Sequence, residues 1–191
     1  MKIKELFRSG ELMIANSENS KSRLEVVQAD ITKMQVDAVV NAANSTLRGG
    51  GGVDGAIHRA AGIEMHEECL AIIAEKGGCP TGGAVITNAG KMPAKKIIHA
   101  VGPVYHDGKR NESSFLANVY KRCMELAVEN GMKTIAFPNI STGVYGFPKT
   151  EAAEIVLKTV GSFLRSCDSI EKVFFVCYEK DNFDIYQKML V

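Results

Sequence analysis

From Arg23 onward, short apolar runs alternate with longer stretches in which apolar positions recur three and four residues apart. LEVVQADI, VDAVVNAA, GGAVITNAG, KKIIHAVG, TIAFPNI and KVFFVCY are rich in β-branched residues, and each reads as a buried strand. Between them, GVDGAIHRAAG, EMHEECLAIIAEKG, SSFLANVYKRCMELAVENG, EAAEIVLKTVGSFLRS and NFDIYQKML carry the spacing of amphipathic helices. Gly77 and Gly131 stand where two of these helices should stop. Strands alternating with helices predict one three-layer α/β/α domain over residues 23–191, its central sheet mixed and mostly parallel. Residues 1–22 end in a Ser/Asn-rich stretch and read as a leading element plus a loop ahead of that domain.

Composition narrows the classes of partner. The 23 basic residues nearly balance the 22 acidic ones, and no dense basic run or aromatic-interleaved basic patch occurs, so nucleic acid is not expected as a main partner. Small anions stay open, because backbone amides bind them without lysines. The five cysteines (Cys69, Cys79, Cys123, Cys167, Cys177) form no C-x-x-C pair, and the four histidines add no ligand spacing to them. Reduced thiols, no metal site and no cofactor are therefore expected. The first residues lack the apolar core of a signal peptide, and no run approaches the length of a membrane span. A soluble, cytoplasmic monomer is the expectation.

The unusual chemistry lies in NAANSTLRGGGGVDGAIHRAAG, Asn41 to Gly62. Strand VDAVVNAA should deliver Asn41 and Asn44 at or just past its carboxyl end, the edge where α/β sheets bind ligands. Gly49 to Gly52 then lead into a helix beginning near Val53. Glycines let successive N–H groups converge ahead of a helix N-terminus, which makes an anion cradle suited to a diphosphate. Gly50, Gly52 and Gly55 satisfy G-x-G-x-x-G, but several residues separate them from the strand, and Glu67, Glu68 and Glu75 fall in a helical pattern instead of ending the next strand. No Gly-Lys-Ser/Thr follows, which excludes a Walker A loop. A plain flexible turn is the remaining structural reading. A second loop, STGVYGFP from Ser141 to Pro148, also follows a strand and precedes a helix, so the two loops should face one another on the same sheet edge. Tyr145 and Phe147 offer aromatic faces to a ribose, or else pack the loop.

NAANSTLRGGGGVDGAIHRAAG together with NISTGVYGFP closely resembles the macrodomain fold, and within it the MacroD-type ADP-ribosyl hydrolases. The similarity runs from about Leu24 to the C-terminus and includes QADITKMQVDAVVNAAN and VFFVCYEK. The family binds ADP-ribose and hydrolyses esters on its distal ribose, acting on proteins mono-ADP-ribosylated at acidic side chains and on O-acetyl-ADP-ribose. By this resemblance Asp30 is the carboxylate that accepts from the adenine amino group, Ile31 the backbone contact beside it, and Tyr178 the aromatic near the adenine. Gly50, Gly51, Gly52 and Val53 form one phosphate loop; Ser141, Thr142, Gly143, Val144 and Tyr145 form the other. Asn44 matches the distal-ribose asparagine and Asp54 the catalytic aspartate, with Asn41 and His58 in support.

A carboxylate beside a diphosphate feels like-charge repulsion, which raises its pKa and makes Asp54 a better base. His58 stands four residues later on the same helix face, and orienting a neighbour suits it better than serving as a base. His66, His99 and His106 carry no signal. The chain has Ala29 where the family commonly has glycine, and Arg48 where it often has an apolar residue. The readings left in competition are a hydrolase, a reader that binds ADP-ribose without turnover, and a dinucleotide-dependent oxidoreductase, against which the misplaced acidic residue counts.

Overall fold

The computed structural model describes residues 20–190, so the leading element expected over residues 1–22 lies almost wholly outside the described residues. Six strands, β1 (Leu24–Gln28), β2 (Ala38–Ala42), β3 (Ala84–Asn88), β4 (Lys96–Ala100), β5 (Thr134–Phe137) and β6 (Lys172–Cys177), form one sheet in the order β1-β6-β5-β2-β4-β3. Strand β3 pairs antiparallel with β4, and every other adjacent pair is parallel. The reversal follows from chain length, because the link from Asn88 to Lys96 is too short to hold a crossover helix.

Helices α1 (Gly52–Ala61) and α2 (Ile63–Lys76) cover one face. Their Ile57, Met65 and Cys69 pack there with Val39 and Ile97 of the sheet and with Val101 just past β4. Helices α3 (Glu112–Glu129), α4 (Lys149–Arg165) and α5 (Lys180–Leu190) cover the other, closing over Val40, Ile98, Phe137 and Phe175. Val39 and Val40 point to opposite layers and both are fully buried. That is why VDAVVNAA shows no apolar/polar alternation. Helix α2 ends on Gly77, whose left-handed backbone (φ 77°) returns its N–H to the Ile73 carbonyl at 2.8 Å. Helix α3 ends through Asn130, whose main-chain and side-chain N–H groups both reach the Leu126 carbonyl, with Gly131 one residue further on.

Strands β1, β6, β5 and β2 run parallel, so their carboxyl ends open on one edge. Asp30 follows β1, Tyr178 follows β6, Asn139 follows β5, and Asn41 sits one residue from the end of β2. The order of strands, not closeness in sequence, gathers these four residues. Among the described residues, no helix is long and apolar enough to cross a membrane.

Candidate active site

The loop after β2 is pinned from below. Leu47 adopts a left-handed backbone (φ 57°) and is fully buried. The strain costs on the order of 1 kcal/mol, and burying the leucine returns about 2 kcal/mol. Asn44 folds the loop locally: its Oδ1 accepts the Thr46 N–H at 3.0 Å and its Nδ2 donates to the Gly49 carbonyl at 2.8 Å. The four glycines turn out to serve two purposes. A Cβ on Gly49 would press on the His58 ring, and one on Gly50 would meet Asp54 Oδ2 at 3.2 Å, so these two are small because the protein itself is close. At Gly51 and Gly52 no described atom lies within 4 Å of an added Cβ, and their backbone faces the cleft. No side chain caps the N-terminus of α1, which leaves its first-turn N–H groups and partial positive charge for a ligand.

The loop after β5 stands opposite. Ser141 has φ 66° and is buried, and its Oγ has no hydrogen-bond partner among the described residues. Its hydroxyl occupies the space that a Cβ on Gly102 would need, so that glycine makes room for the loop. Gly143 faces open space and Val144 is wholly exposed at the tip. Phe147 turns inward against Tyr105, with ring centroids 4.9 Å apart, and is 2% exposed. Of the two readings open for these aromatics, Phe147 takes the packing one as a core anchor, while Tyr145 lines the cleft.

Between the loops lie two adjoining cavities of about 560 and 270 Å³, which share Gly52, Val53, Asn139 and Gly143. Asp30, Ile31, Thr142 and Tyr178 line the larger. Asn44, Gly50, Gly51, Asp54, Ser141, Val144 and Tyr145 line the smaller. Asn41 and His58 line neither and stand behind Asp54. Asp30 caps a single 3-10 turn, Ile31–Lys33, accepting from Thr32 N and Oγ1, and these bonds hold its carboxyl below the usual carboxylate range. Arg59, Asn139 and Asn182 also line the larger cavity. None of the three has a role in the motifs as quoted, although Arg59 lies inside NAANSTLRGGGGVDGAIHRAAG and Asn139 inside NISTGVYGFP.

Asp54 sits in the first turn of α1 and is 5% exposed. Its Oδ1 accepts from Asn41 Nδ2 at 2.7 Å, and its Oδ2 lies 3.4 Å from Asn44 Nδ2. Burial pushes its pKa up, and the Asn41 bond and the nearby His58 only partly offset that rise. Desolvation already raises it with no diphosphate present. His58 Nε2 lies 3.4 Å from Oδ1 without hydrogen-bond geometry, and burial pushes its own pKa down. Thus Oδ1 is held from behind by Asn41, while Oδ2 sits beside Asn44 and Gly50, which line the smaller cavity with it. The fold also brings His58, Cys69 and His99 within 4.8 Å of one another, a grouping that the spacing of histidines and cysteines did not reveal. An ion held there would have to break an existing bond, because His99 Nδ1 already faces Asn41 and Nε2 faces Thr87.

Two glycine-bearing loops meeting over a cleft of this size, one of them at a helix N-terminus, define an α/β domain with a ligand-sized cleft at the carboxyl edge of its sheet. The chain belongs to the Macro domain family, whose model matches residues 40–156. It is 55% identical over 170 residues to an O-acetyl-ADP-ribose deacetylase of Escherichia fergusonii, spanning 89% of this chain and 96% of that protein. The protein of the same name from Escherichia coli is 51% identical, over 89% of this chain and 96% of its own. Among solved structures, the Oceanobacillus iheyensis macrodomain with ADP superposes with a TM-score of 0.83 at 43% identity, covering 87% of this chain and 89% of that one. The Trypanosoma brucei macrodomain in complex with ADP-ribose gives 0.81 at 36% identity, over 88% and 69% of the two chains.

Proposed function

We propose that this chain binds ADP-ribose across the two cavities and hydrolyses acyl esters on the distal ribose, with O-acetyl-ADP-ribose and proteins esterified at acidic side chains as substrates. The adenosine occupies the larger cavity beside Asp30, Ile31 and Tyr178. The diphosphate lies against the amides of Gly50 to Val53 and Ser141 to Tyr145. The distal ribose enters the smaller cavity, where Asn44 holds its hydroxyls and so turns the ester toward Asp54.

Water then attacks the ester carbonyl carbon while Asp54 Oδ2 takes one of its protons. The bond from that carbon to the ribose oxygen breaks, Asp54 returns the proton to the ribose oxygen, and ADP-ribose and the carboxylic acid leave with Asp54 again a carboxylate. No metal is required for this step. The observation that carries the reading is Asp54 itself, a carboxylate desolvated at the wall of the sugar-sized cavity, with one oxygen anchored by Asn41 and the other beside Asn44. Support comes also from relatives more than half identical that bear the deacetylase name.

The test is Asp54→Asn, assayed for acetate release from O-acetyl-ADP-ribose and for ADP-ribose affinity by calorimetry. Loss of about 100-fold or more in kcat, with affinity within about tenfold, is the expected result. Because burial raises the Asp54 pKa, the wild-type rate should fall as pH drops through a value above 3.8, and the variant should lack that limb. A fully active variant would remove Asp54 from the chemistry, and tight binding by a wild type without turnover would leave a reader.

A further inference from the structure

Behind Asp54, a chain of polar groups crosses the otherwise apolar layer under α1 and α2. Asn41 of β2 and His99 of β4 are paired in the parallel register, so their side chains stand side by side. Thr87 Oγ1, on β3, lies 2.9 Å from His99 Nε2 and donates its own proton to the Asn88 carbonyl at 3.0 Å. A hydroxyl has a single proton; where Thr87 gives it to the Asn88 carbonyl, Thr87 accepts at His99 and the ring proton sits on Nε2. His99 is fully buried, and burial pushes its pKa down to about 3, so the ring is neutral. Nδ1 is then an acceptor, and it faces Asn41 Nδ2 at 3.2 Å. The same amide nitrogen reaches Asp54 Oδ1 at 2.7 Å. Asn41 Oδ1 has no partner among the described residues, so in this orientation the two contacts of Nδ2 are made while the amide's own carbonyl goes unpaired.

We infer that His99 and Thr87 are positioning residues, which through the ring tautomer hold the Asn41 N–H toward Asp54 and so keep that carboxyl in its base form. The reverse arrangement is also self-consistent. With the ring proton on Nδ1, the amide turns over, Asn41 Oδ1 faces Asp54, and the carboxyl must be protonated to donate to it. Thr87 selects between the two. The remaining titratable groups around Asp54 are His58 on its own helix and, from α2, His66 and Cys69. The His66 ring centroid lies 5.6 Å from that of His58, and the Cys69 sulfur lies 3.6 Å from His99 Nε2. Burial pushes the His58 pKa down and the Cys69 thiol up to about 11, so neither supplies a charge that replaces the amide.

The inference rests on Asp54 as the base, and its test is read first without turnover. In the full chain, ¹⁵N shifts of His99 report the tautomer and ¹³C shifts of Asp54 report its titration. The wild-type ring should carry its proton on Nε2. In Thr87→Val and His99→Phe, Asp54 should titrate about one pH unit higher. The acid limb of kcat should move equally, a loss of about tenfold at pH below the limb, with ADP-ribose affinity within about threefold of wild type. His99→Asn, whose Oδ1 stands in for Nδ1, should restore both. Should His99→Phe fail to fold, Thr87→Val carries the test, since it exchanges one hydroxyl for a methyl. An unmoved Asp54 titration in Thr87→Val, or a wild-type ring protonated on Nδ1, overturns the inference. A moved titration together with an active Asp54→Asn overturns the base role instead and leaves the positioning intact.

Discussion

Gly55 and Gly161 both lie within helices, α1 and α4, and Gly→Ala should affect them in opposite directions. Alanine gains about 1 kcal/mol over glycine in a helix interior. A Cβ on Gly161 would have Arg165 Nη1 as its only described neighbour within 4 Å, at 3.8 Å, an ordinary contact. Gly161→Ala should therefore raise Tm by about 2–4 °C for a chain of this size. A Cβ on Gly55 would fall inside 3.0 Å of the Gly50 carbonyl oxygen, which is backbone and has no rotamer to escape into. The loop must retreat by about half an ångström, and overpacking of this kind costs on the order of 1–3 kcal/mol, more than the helix gains. The Gly50 carbonyl belongs to the same peptide unit as the Gly51 N–H, so the retreat also drags a donor that the proposed site aims at the diphosphate. Gly55→Ala should lower Tm by a few degrees and weaken ADP-ribose at least about tenfold. Scanning calorimetry with and without ADP-ribose, together with isothermal titration, reads both effects. A Gly55→Ala protein that melts higher, as Gly161→Ala should, or that binds with undiminished affinity, would refute the claim that the α1 backbone sets the position of the loop.

Asp30→Ala should weaken ADP-ribose binding by about 1.5–3 kcal/mol through loss of a charge-assisted hydrogen bond, and unchanged affinity in titration calorimetry would misplace the adenine. Asp37 holds β2 to β5 by accepting from the Lys133 and Thr134 N–H groups at 2.8 and 3.1 Å and pairing with Lys95 at 2.7 Å. The Lys95 bond leads the causes that hold its carboxyl below 3.8, so its stabilisation is present above that pH and is lost as pH falls through the lower folded value. Asp37→Ala should cost about 1.5–3 kcal/mol at neutral pH and flatten the acid side of stability measured by urea titration. Ester hydrolysis should survive a chelator in excess, measured as acetate release; inactivation reversed by added metal would require an ion in the mechanism.

The layered fold could be read from the chain because it is written locally. Doubly buried strands such as VDAVVNAA lose their alternation, and helices keep theirs. The two glycine loops were legible for the same reason, each being a short run whose composition fixes its backbone. What escaped depends on adjacency. His99 reads as an ordinary residue of KKIIHAVG, and only the placement of β4 beside β2 sets it against Asn41, 58 positions away. A histidine inside a strand otherwise apolar was the one available hint. The inward turn of Phe147 and the left-handed, buried Leu47 are likewise decided by what lies beneath each loop, which no local pattern states.

Ser141 occupies the room left by the missing side chain of Gly102, at the end of a strand that does not precede its loop. The two positions are thereby bound to a shared history. A lineage that acquires any larger residue at 102 must reshape the opposite wall of the cleft in the same step, or lose it. Variation in this binding edge should therefore come as paired changes across the sheet, and the exposed tip at Val144 is where single changes can accumulate.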